Sequence, residues 1–160
     1  MYGGYASAGA YSVFGTGAVY SVNALAVGAN YSNIRFSDLN DPASGTLSQT
    51  NPFGYHGTAI FNSYSAFARY QATPTISLTA TYDYLTGGAV DGKEPAKYNQ
   101  FNATVQYILS KRTTLYYLAT YQVASGVDST GQSAVASIES ITPSNNSRQL
   151  ILRLGILHFF

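Results

Sequence analysis

Few residues in this sequence have types and spacings that could support catalysis or hold a metal. Histidine occurs twice, as His56 and His158, and neither has a carboxylate nearby at the spacing of a metal site. Asp38, Asn40 and Asp41 carry oxygen ligands of the kind Ca²⁺ prefers, but the spacing is not that of an EF-hand loop. We therefore interpret them as solvated loop residues and predict no metal and no cofactor.

Nucleophiles and phosphate-binding loops have no clear signature either. The chain has no Cys, which excludes a thiol nucleophile, a disulfide framework and a cysteine zinc site. No Ser stands in a G-x-S-x-G elbow, and the run from Gly15 to Gly17 lacks the helix signal that a dinucleotide-binding turn requires. The expectation is that the chain is not an enzyme.

The composition points to an unusual surface. Charged residues make up 9% of the chain, against roughly 25% in an ordinary soluble domain. The hydrophobic fraction is 46%, yet the mean hydropathy is -0.02, because the polar bulk is Ser, Thr, Asn, Gln and Gly. A net charge of +1 predicts no nucleic-acid partner. No secretory signal and no run of ~18 apolar residues is visible, so the surviving classes are a soluble β-sandwich and an outer-membrane β-barrel.

Seven segments alternate polar and apolar residues with the period of a β-strand. They are about 10 to 14 residues long, against ~5–6 in globular proteins, and about 10 residues tilted by ~40° rise about 25 Å, the height of a hydrocarbon band. In the fourth segment, Ile76, Leu78 and Tyr82 share one face, and Ser77, Thr79 and Asp83 share the other. The predicted strands are 11–20, 24–36, 57–70, 75–86, 98–109, 114–124 and 148–160.

The connections between these segments alternate strictly between short and long. Segments 21–23, 71–74 and 110–113 are short, whereas 37–56, 87–97 and 125–147 are long. Outer-membrane barrels have tight periplasmic turns and long external loops, so this asymmetry favours an antiparallel up-and-down transmembrane β-barrel over a sandwich. The same course places the C-terminus in the periplasm and the protein in the bacterial outer membrane.

Aromatic residues near the strand ends predict two girdles at the membrane interfaces. Tyr20, Tyr70 and Tyr107 each stand just before a tight turn. Phe36, Tyr82 and Tyr84 stand near loop ends. The competing interpretation is that aromatic residues simply favour strands.

Counting by twos along the strands predicts which side chains face the barrel interior. An outward Phe160 turns Arg153 and Gln149 inward, and an outward Tyr70 turns Arg69 inward. Rings of basic side chains favour anions, so Arg69 and Arg153 against Asp83 hint at a weak anion preference; solvation alone is the alternative explanation. The predicted pore-lining residues are Arg69, Asp83, Gln100, Asn102, Gln106, Gln149 and Arg153.

Several stretches, taken in order, resemble the general trimeric porins of β-proteobacteria of the Burkholderia, Bordetella and Neisseria type. They are FNSYSAFARYQATP (61–74), YNQF (98–101), LSKRT (109–113), YQ (121–122) and RLGILHFF (153–160). The resemblance implies a 16-stranded, water-filled homotrimer that passes ions and small hydrophilic solutes by passive diffusion. It also implies contact with membrane lipid and lipopolysaccharide, and a terminal Phe160 that the outer-membrane assembly machinery reads.

The chain is short for that family. Residues 1–160 would correspond to the C-terminal segment of a porin domain, without the signal peptide, the first strands and the constriction loop. An odd number of strands cannot close an antiparallel barrel, although the first eight residues leave an eight-stranded closure open. Leu157 and Phe159 stand inward where the family usually has basic residues, which either weakens the conductive interpretation or indicates relaxed selection on a remnant. The alternatives are a small structural or adhesive outer-membrane barrel acting through its loops and, last, a barrel enzyme.

Overall fold

The chain folds into one antiparallel sheet, seen in a computed structural model that describes residues 5, 8–39, 54–88, 95–128 and 131–160. Its seven strands are hydrogen-bonded in chain order. They are β1 (Ala10–Val22), β2 (Leu25–Leu39), β3 (Gly57–Thr73), β4 (Ile76–Gly87), β5 (Lys97–Ser110), β6 (Thr113–Ser125) and β7 (Arg148–His158). The predicted all-β, antiparallel up-and-down architecture is confirmed.

The sheet is open rather than closed. Each strand pairs with the next, and within the described residues no strand pairs with the outer edge of β1 or of β7. Tyr5 and Ala8 are described and lie outside any strand, while the rest of the proposed eighth strand, at 1–4 and 6–7, lies outside the described residues. No helix in the described ranges is long and apolar enough to cross a bilayer.

Two-residue turns connect three of the strand pairs, at one end of the sheet. The first places Asn23 at a positive φ of 52°, a conformation that Asn tolerates better than most residues. In the second, the Thr73 hydroxyl accepts a 3.0 Å hydrogen bond from the Ile76 amide. In the third, the Ser110 hydroxyl accepts one from the Arg112 amide at 3.2 Å. The strand ends that the long connections 40–56, 88–96 and 126–147 join lie at the other end, which confirms the predicted alternation.

The register separates two faces, which we call the apolar face and the polar face. Neighbouring strands place like residues opposite one another, because side chains two apart along a strand point the same way. A central row of the apolar face runs through Ala68, Ala80, Ala103, Ala119 and Leu152. A central row of the polar face runs through Asn30, Ser65, Asp83, Gln100, Gln122 and Gln149.

The buried core lies at the loop end of the polar face. One cluster contains Tyr5, Ala8, Leu39, Tyr55, Ala59 and Phe61. A second contains Ala96, Tyr98, Ala124, Ala134 and Ala136, and Leu85 packs against both. Large side chains of the apolar face stay uncovered: Leu154 is 80% exposed and Ile156 is 63% exposed. In the described residues, therefore, the apolar face has no protein partner, and loop segments partly cover the polar face.

Phe36 corrects one detail of the aromatic prediction. It pairs with Ala59 and Tyr11 on the polar face, and its ring packs against the rings of Tyr5 and Phe61. Its position, one residue out of phase with Tyr31, directs it to the core cluster rather than to the outer girdle. The prediction that Phe36 belongs to the girdle is wrong.

Candidate functional site

The polar face carries a chain of hydrogen-bonded side chains that crosses four strands, which we call the polar ladder. It begins at Ser65 on β3, whose hydroxyl donates to Asp83 Oδ1 on β4 at 2.5 Å. It continues through Asn102 and Gln100 on β5 and ends at Gln122 on β6, whose Nε2 donates to Gln100 Oε1 at 2.9 Å. Because the alternation of each strand directs these residues to the same face, the ladder follows from period two and the register together.

Asn102 is the centre of the ladder and uses both halves of its amide. Its Nδ2 donates to Thr81 Oγ1 at 2.7 Å and to Asp83 Oδ2 at 3.2 Å. Its Oδ1 accepts from Thr120 Oγ1 at 2.9 Å and from Gln100 Nε2 at 3.2 Å. An Asn side chain offers two donors and one doubly accepting oxygen, so Asn102 is saturated and held in one orientation.

Asp83 is the acidic group of the ladder and is held by neutral partners. Both carboxylate oxygens accept hydrogen bonds, one from Ser65 and one from Asn102. Asp83 therefore places one carboxylate on the polar face whose two oxygens both have neutral hydrogen-bond partners.

Two arginines lie in one row of the polar face on the turn side of the ladder. Arg69 on β3 and Arg153 on β7 stand at the ends of a row that passes through Thr79, Thr104 and Leu118. Four strand spacings of about 4.8 Å separate them by roughly 19 Å. Both side chains are exposed, and neither has an ion-pair partner among the described residues. The row presents two separated positive charges to the space over the polar face.

The connection between β6 and β7 folds over the loop end of the polar face and is bound there by two glutamines. Gln122 Oε1 accepts the Ser137 amide at 2.6 Å, and Gln149 Oε1 accepts the Ile138 amide at 3.0 Å. Gln149 Nε2 also donates to the Thr142 carbonyl at 2.9 Å. Ile138 is buried and Gln122 is only 5% exposed, so the bonds to the Ser137 and Ile138 amides are partly shielded from water, whereas the bond to Thr142 is exposed. We call residues 126–147 the anchored loop.

The structure brings together part of the predicted pore-lining set. Asp83, Gln100 and Asn102 bond to one another directly, and Gln149 joins them through the anchored loop. Arg69 and Arg153 lie on the same face, two rows closer to the turns than Asp83 and Gln100. Gln106 lies on that face still nearer the turns, exposed and outside the ladder. Whether these residues line a pore stays a prediction.

The predicted pore-lining set leaves out several members of the ladder. They are Ser65, Thr81, Thr120, Gln122 and the loop amide of Ser137. The parity of β6 would have identified Thr120 and Gln122, since both alternate with Ala119 and Tyr121. The contribution of Ser137 has no local signal, because it depends on where a long connection folds.

The predicted girdle tyrosines share the apolar face. Near the turns, Tyr20, Tyr70 and Tyr107 are 67%, 50% and 45% exposed. Near the loops, the Tyr82 ring lies 4.7 Å from that of Phe101 and the Tyr84 ring lies 6.3 Å from that of Tyr64.

The hydroxyls of the loop-end tyrosines donate hydrogen bonds to asparagine side chains that lie nearer the loops. Tyr82 donates to Asn99 Oδ1 at 2.8 Å, and Tyr31 donates to Asn62 Oδ1 at 2.7 Å. A polar tip directed away from an apolar centre is the arrangement expected of residues at a membrane interface, although that role stays a prediction.

The remaining candidates for chemistry stay apart. His158 Nδ1 lies 2.9 Å from the Thr113 hydroxyl at the turn end, whereas His56 lies at the loop end. Asn40 and Asp41 lie outside the described residues. Within the described ranges no three His, Cys, Asp or Glu side chains come close enough to hold a metal ion. Phe160 follows β7 and is fully exposed, and its role as an assembly signal stays a prediction.

Comparison with known proteins bears on the fold. No protein-family profile matches the chain, and no curated protein sequence does. A solved structure of the outer-membrane expressed OmpT of Vibrio cholerae superposes with a TM-score of 0.67 at 13% sequence identity, covering 94% of this chain and 41% of that one. The chain thus spans about two fifths of the length of that structure. The sheet described above has the strand arrangement of an outer-membrane β-barrel protein.

Proposed function

We propose that this sheet forms part of the wall of an outer-membrane channel that passes ions and small hydrophilic solutes by passive diffusion. The polar ladder carries the proposal: an unbroken path of hydroxyl, amide and carboxylate groups on one face, backed by an apolar face without a protein partner. Buried against lipid or a protein core, such groups would lose their solvation; against water they remain satisfied.

The chemistry of the polar face favours broad passage rather than tight binding. Amides and hydroxyls both donate and accept, so they replace water around many small polar solutes without selecting one. The arginine row, with Arg69 and Arg153 against Asp83, supports a weak preference for anions. The resemblance to β-proteobacterial porins agrees with this function.

The proposal includes a placement in the cell. The apolar face contacts membrane lipid and lipopolysaccharide, the tight turns and the C-terminus lie in the periplasm, and Phe160 serves the outer-membrane assembly machinery. A homotrimer, as in porins, is proposed for the complete channel. The channel needs no cofactor and performs no catalysis.

A second candidate is a small structural or adhesive outer-membrane barrel that acts through its loops. The specific observation in its favour is the loop end of the polar face, where two apolar clusters and the anchored loop occupy the space that a wide pore would leave to water. The exposed inward Leu157, at 49%, points the same way.

Current recordings across a planar bilayer separate the two candidates. We expect the chain refolded in lipid to produce stepwise, ohmic increments of current, with heat-denatured chain as the control. A barrel that shows heat-modifiable migration on gels but no conductance would contradict the channel and favour the structural candidate.

Replacing Arg69 with Glu should shift the reversal potential toward cation preference. The change alters the charge by two units. At about 10 Å in water this changes an ion's energy by about 0.8 kcal/mol, roughly fourfold in permeability ratio at low salt. Arg112→Glu, in a turn off the polar face, is the matched control and should shift it much less. An unchanged reversal potential in R69E would remove Arg69 from any role in selectivity.

A further inference from the structure

We propose that the apolar face holds a binding site for a phosphorylated membrane lipid, with Arg35 on the phosphate and a groove between β1 and β3 for an acyl chain. The inference rests on the membrane placement proposed above and goes beyond it by naming the site and the ligand class. Its parts are a positive charge without a partner, an apolar groove beneath it, and the absence of acidic residues at the regularly paired positions of this face in the described strands.

At the regularly paired positions of the apolar face, charge is confined to one height and one sign. The charged residues at those positions that the structure describes are Arg35, Lys97 and Arg148, while Asp38 stands unpaired in the register shift that follows Arg35 on β2. Each stands about 10 to 13 residues from the turn end of its strand, which places it about 25–33 Å above the turns, at or just beyond the edge of an apolar band ~25 Å tall. This is the height at which a lipid carries its phosphate.

None of the three cations has a partner within the described chain. All are exposed, and no ion pair or hydrogen bond engages their charged groups there. Long basic side chains can extend toward a headgroup while their stems cover apolar surface. An anion at this level could therefore bind charged groups that have no partner in the described chain.

Arg35 differs from the other two cations in what lies below it. A groove of about 590 Å³ crosses the apolar face on its turn side. Its floor is formed by small residues opposite one another on three strands, Ala18, Ala29 and Ala66. Tyr31 and Tyr64 stand at its loop side, with ring centroids 5.1 Å apart.

The spacing from the charge to the groove suits an amphiphile. Arg35 and Ala29 lie on the same face of β2, six residues apart, or roughly 20 Å along the strand. Between them, Tyr31 and Asn33 both donate to Asn62 Oδ1, at 2.7 and 2.9 Å, and form a polar shelf above the groove. A phosphate at Arg35, the glycerol and its ester groups on the shelf and an acyl chain over the alanines would occupy the three levels in order.

Charge complementarity selects a lipid over other occupants. A protein partner would have to cover three like charges without a countercharge at the paired positions of this face, and a free phosphate would leave the groove empty. A lipid with an anionic phosphate supplies both an acid for Arg35 and a hydrocarbon chain for the alanine floor.

Native mass spectrometry of the chain in detergent tests the site with dimyristoyl phosphatidic acid as the probe. We expect one tightly retained lipid per chain, and retention about tenfold weaker for dimyristoyl phosphatidylcholine. Arg35→Gln should weaken phosphatidic acid retention about tenfold. Lys97→Gln, which removes a cation at the same height away from the groove, should change it less than twofold.

A second variant tests the groove separately from the charge. Ala29→Leu fills the floor while leaving Arg35 in place, and should weaken retention several-fold. Glycerol 3-phosphate, which has the phosphate but no acyl chain, should not compete; effective competition would identify a free phosphate site and overturn the lipid. Equal effects of R35Q and K97Q, or unchanged retention in A29L, would also overturn it.

The lipid site and the channel can fail independently. A chain that conducts current but retains phosphatidic acid no better than phosphatidylcholine overturns the site and leaves the channel. A chain that does not conduct, yet loses phosphatidic acid on R35Q alone, supports the site and counts against the channel.

Discussion

Replacing Ala103 with Arg is expected to prevent stable insertion of the chain into lipid. Ala103 lies in the central row of the apolar face, between Ala80 and Ala119. An arginine at the midplane of a bilayer on the lipid face costs about 2–4 kcal/mol, a factor of about 30 to about 1,000 in the folded population. The measurement is the free energy of unfolding in urea, with the chain refolded in phosphatidylcholine vesicles.

The neighbouring residue provides the matched control. Thr104 follows Ala103 in sequence but lies on the polar face, in the row of Arg69 and Arg153. Thr104→Arg should therefore cost less than about 1 kcal/mol, because its charge enters water. If A103R and T104R lowered the free energy of unfolding equally, the two faces would not contact different solvents. That result would contradict the membrane placement.

Removing both glutamines that bind the anchored loop is expected to release it. In a variant with Gln122→Ala and Gln149→Ala, the amides of Ser137 and Ile138 lose their acceptors. Each lost bond to a buried amide costs about 1 kcal/mol or more, so the open state of the loop should gain about 30-fold. Hydrogen exchange of the two amides should accelerate by that factor.

The same double variant reports on what the loop does. If the loop narrows a channel, single-channel conductance should rise together with the exchange rate. Gln106→Ala is the control, because Gln106 lies exposed on the polar face and has no hydrogen-bond partner in the described part of the chain. Unchanged exchange at Ser137 would show that the backbone bonds of the loop, such as that from Ala136 to Asn146, hold it without the glutamines.

Much of the fold could be predicted because a strand imposes a period of two on its side chains. The alternation around Asp83 and Gln100 identifies their strands and places both residues on the polar face. Phe36 is an example in which the period of two gives the correct face and the position near a loop does not. It shares the parity of Asn30 and Ser32, which lie on the polar face, whereas its nearness to a loop suggests the girdle.

The register of neighbouring strands is determined in two different ways. A two-residue turn determines register directly, as at Val22 and Leu25, which face each other across the first hairpin. Across the long connections no local rule applies, and the match of Asp83 with Gln100 or of Gln122 with Gln149 depends on how whole strands pack. The individual polar residues were therefore predictable, but their union in one ladder was not.

By itself the sequence determined the strand number, the alternation of turns and loops, and the two-sided character of the sheet, because each of these follows from contacts between residues close along the chain. Only the tertiary structure decided that Asn102 joins Asp83 to Thr120, that Gln122 and Gln149 hold the anchored loop, and that an alanine groove lies beneath Arg35. These features join residues far apart in sequence, and their geometry exists only once the strands are in register.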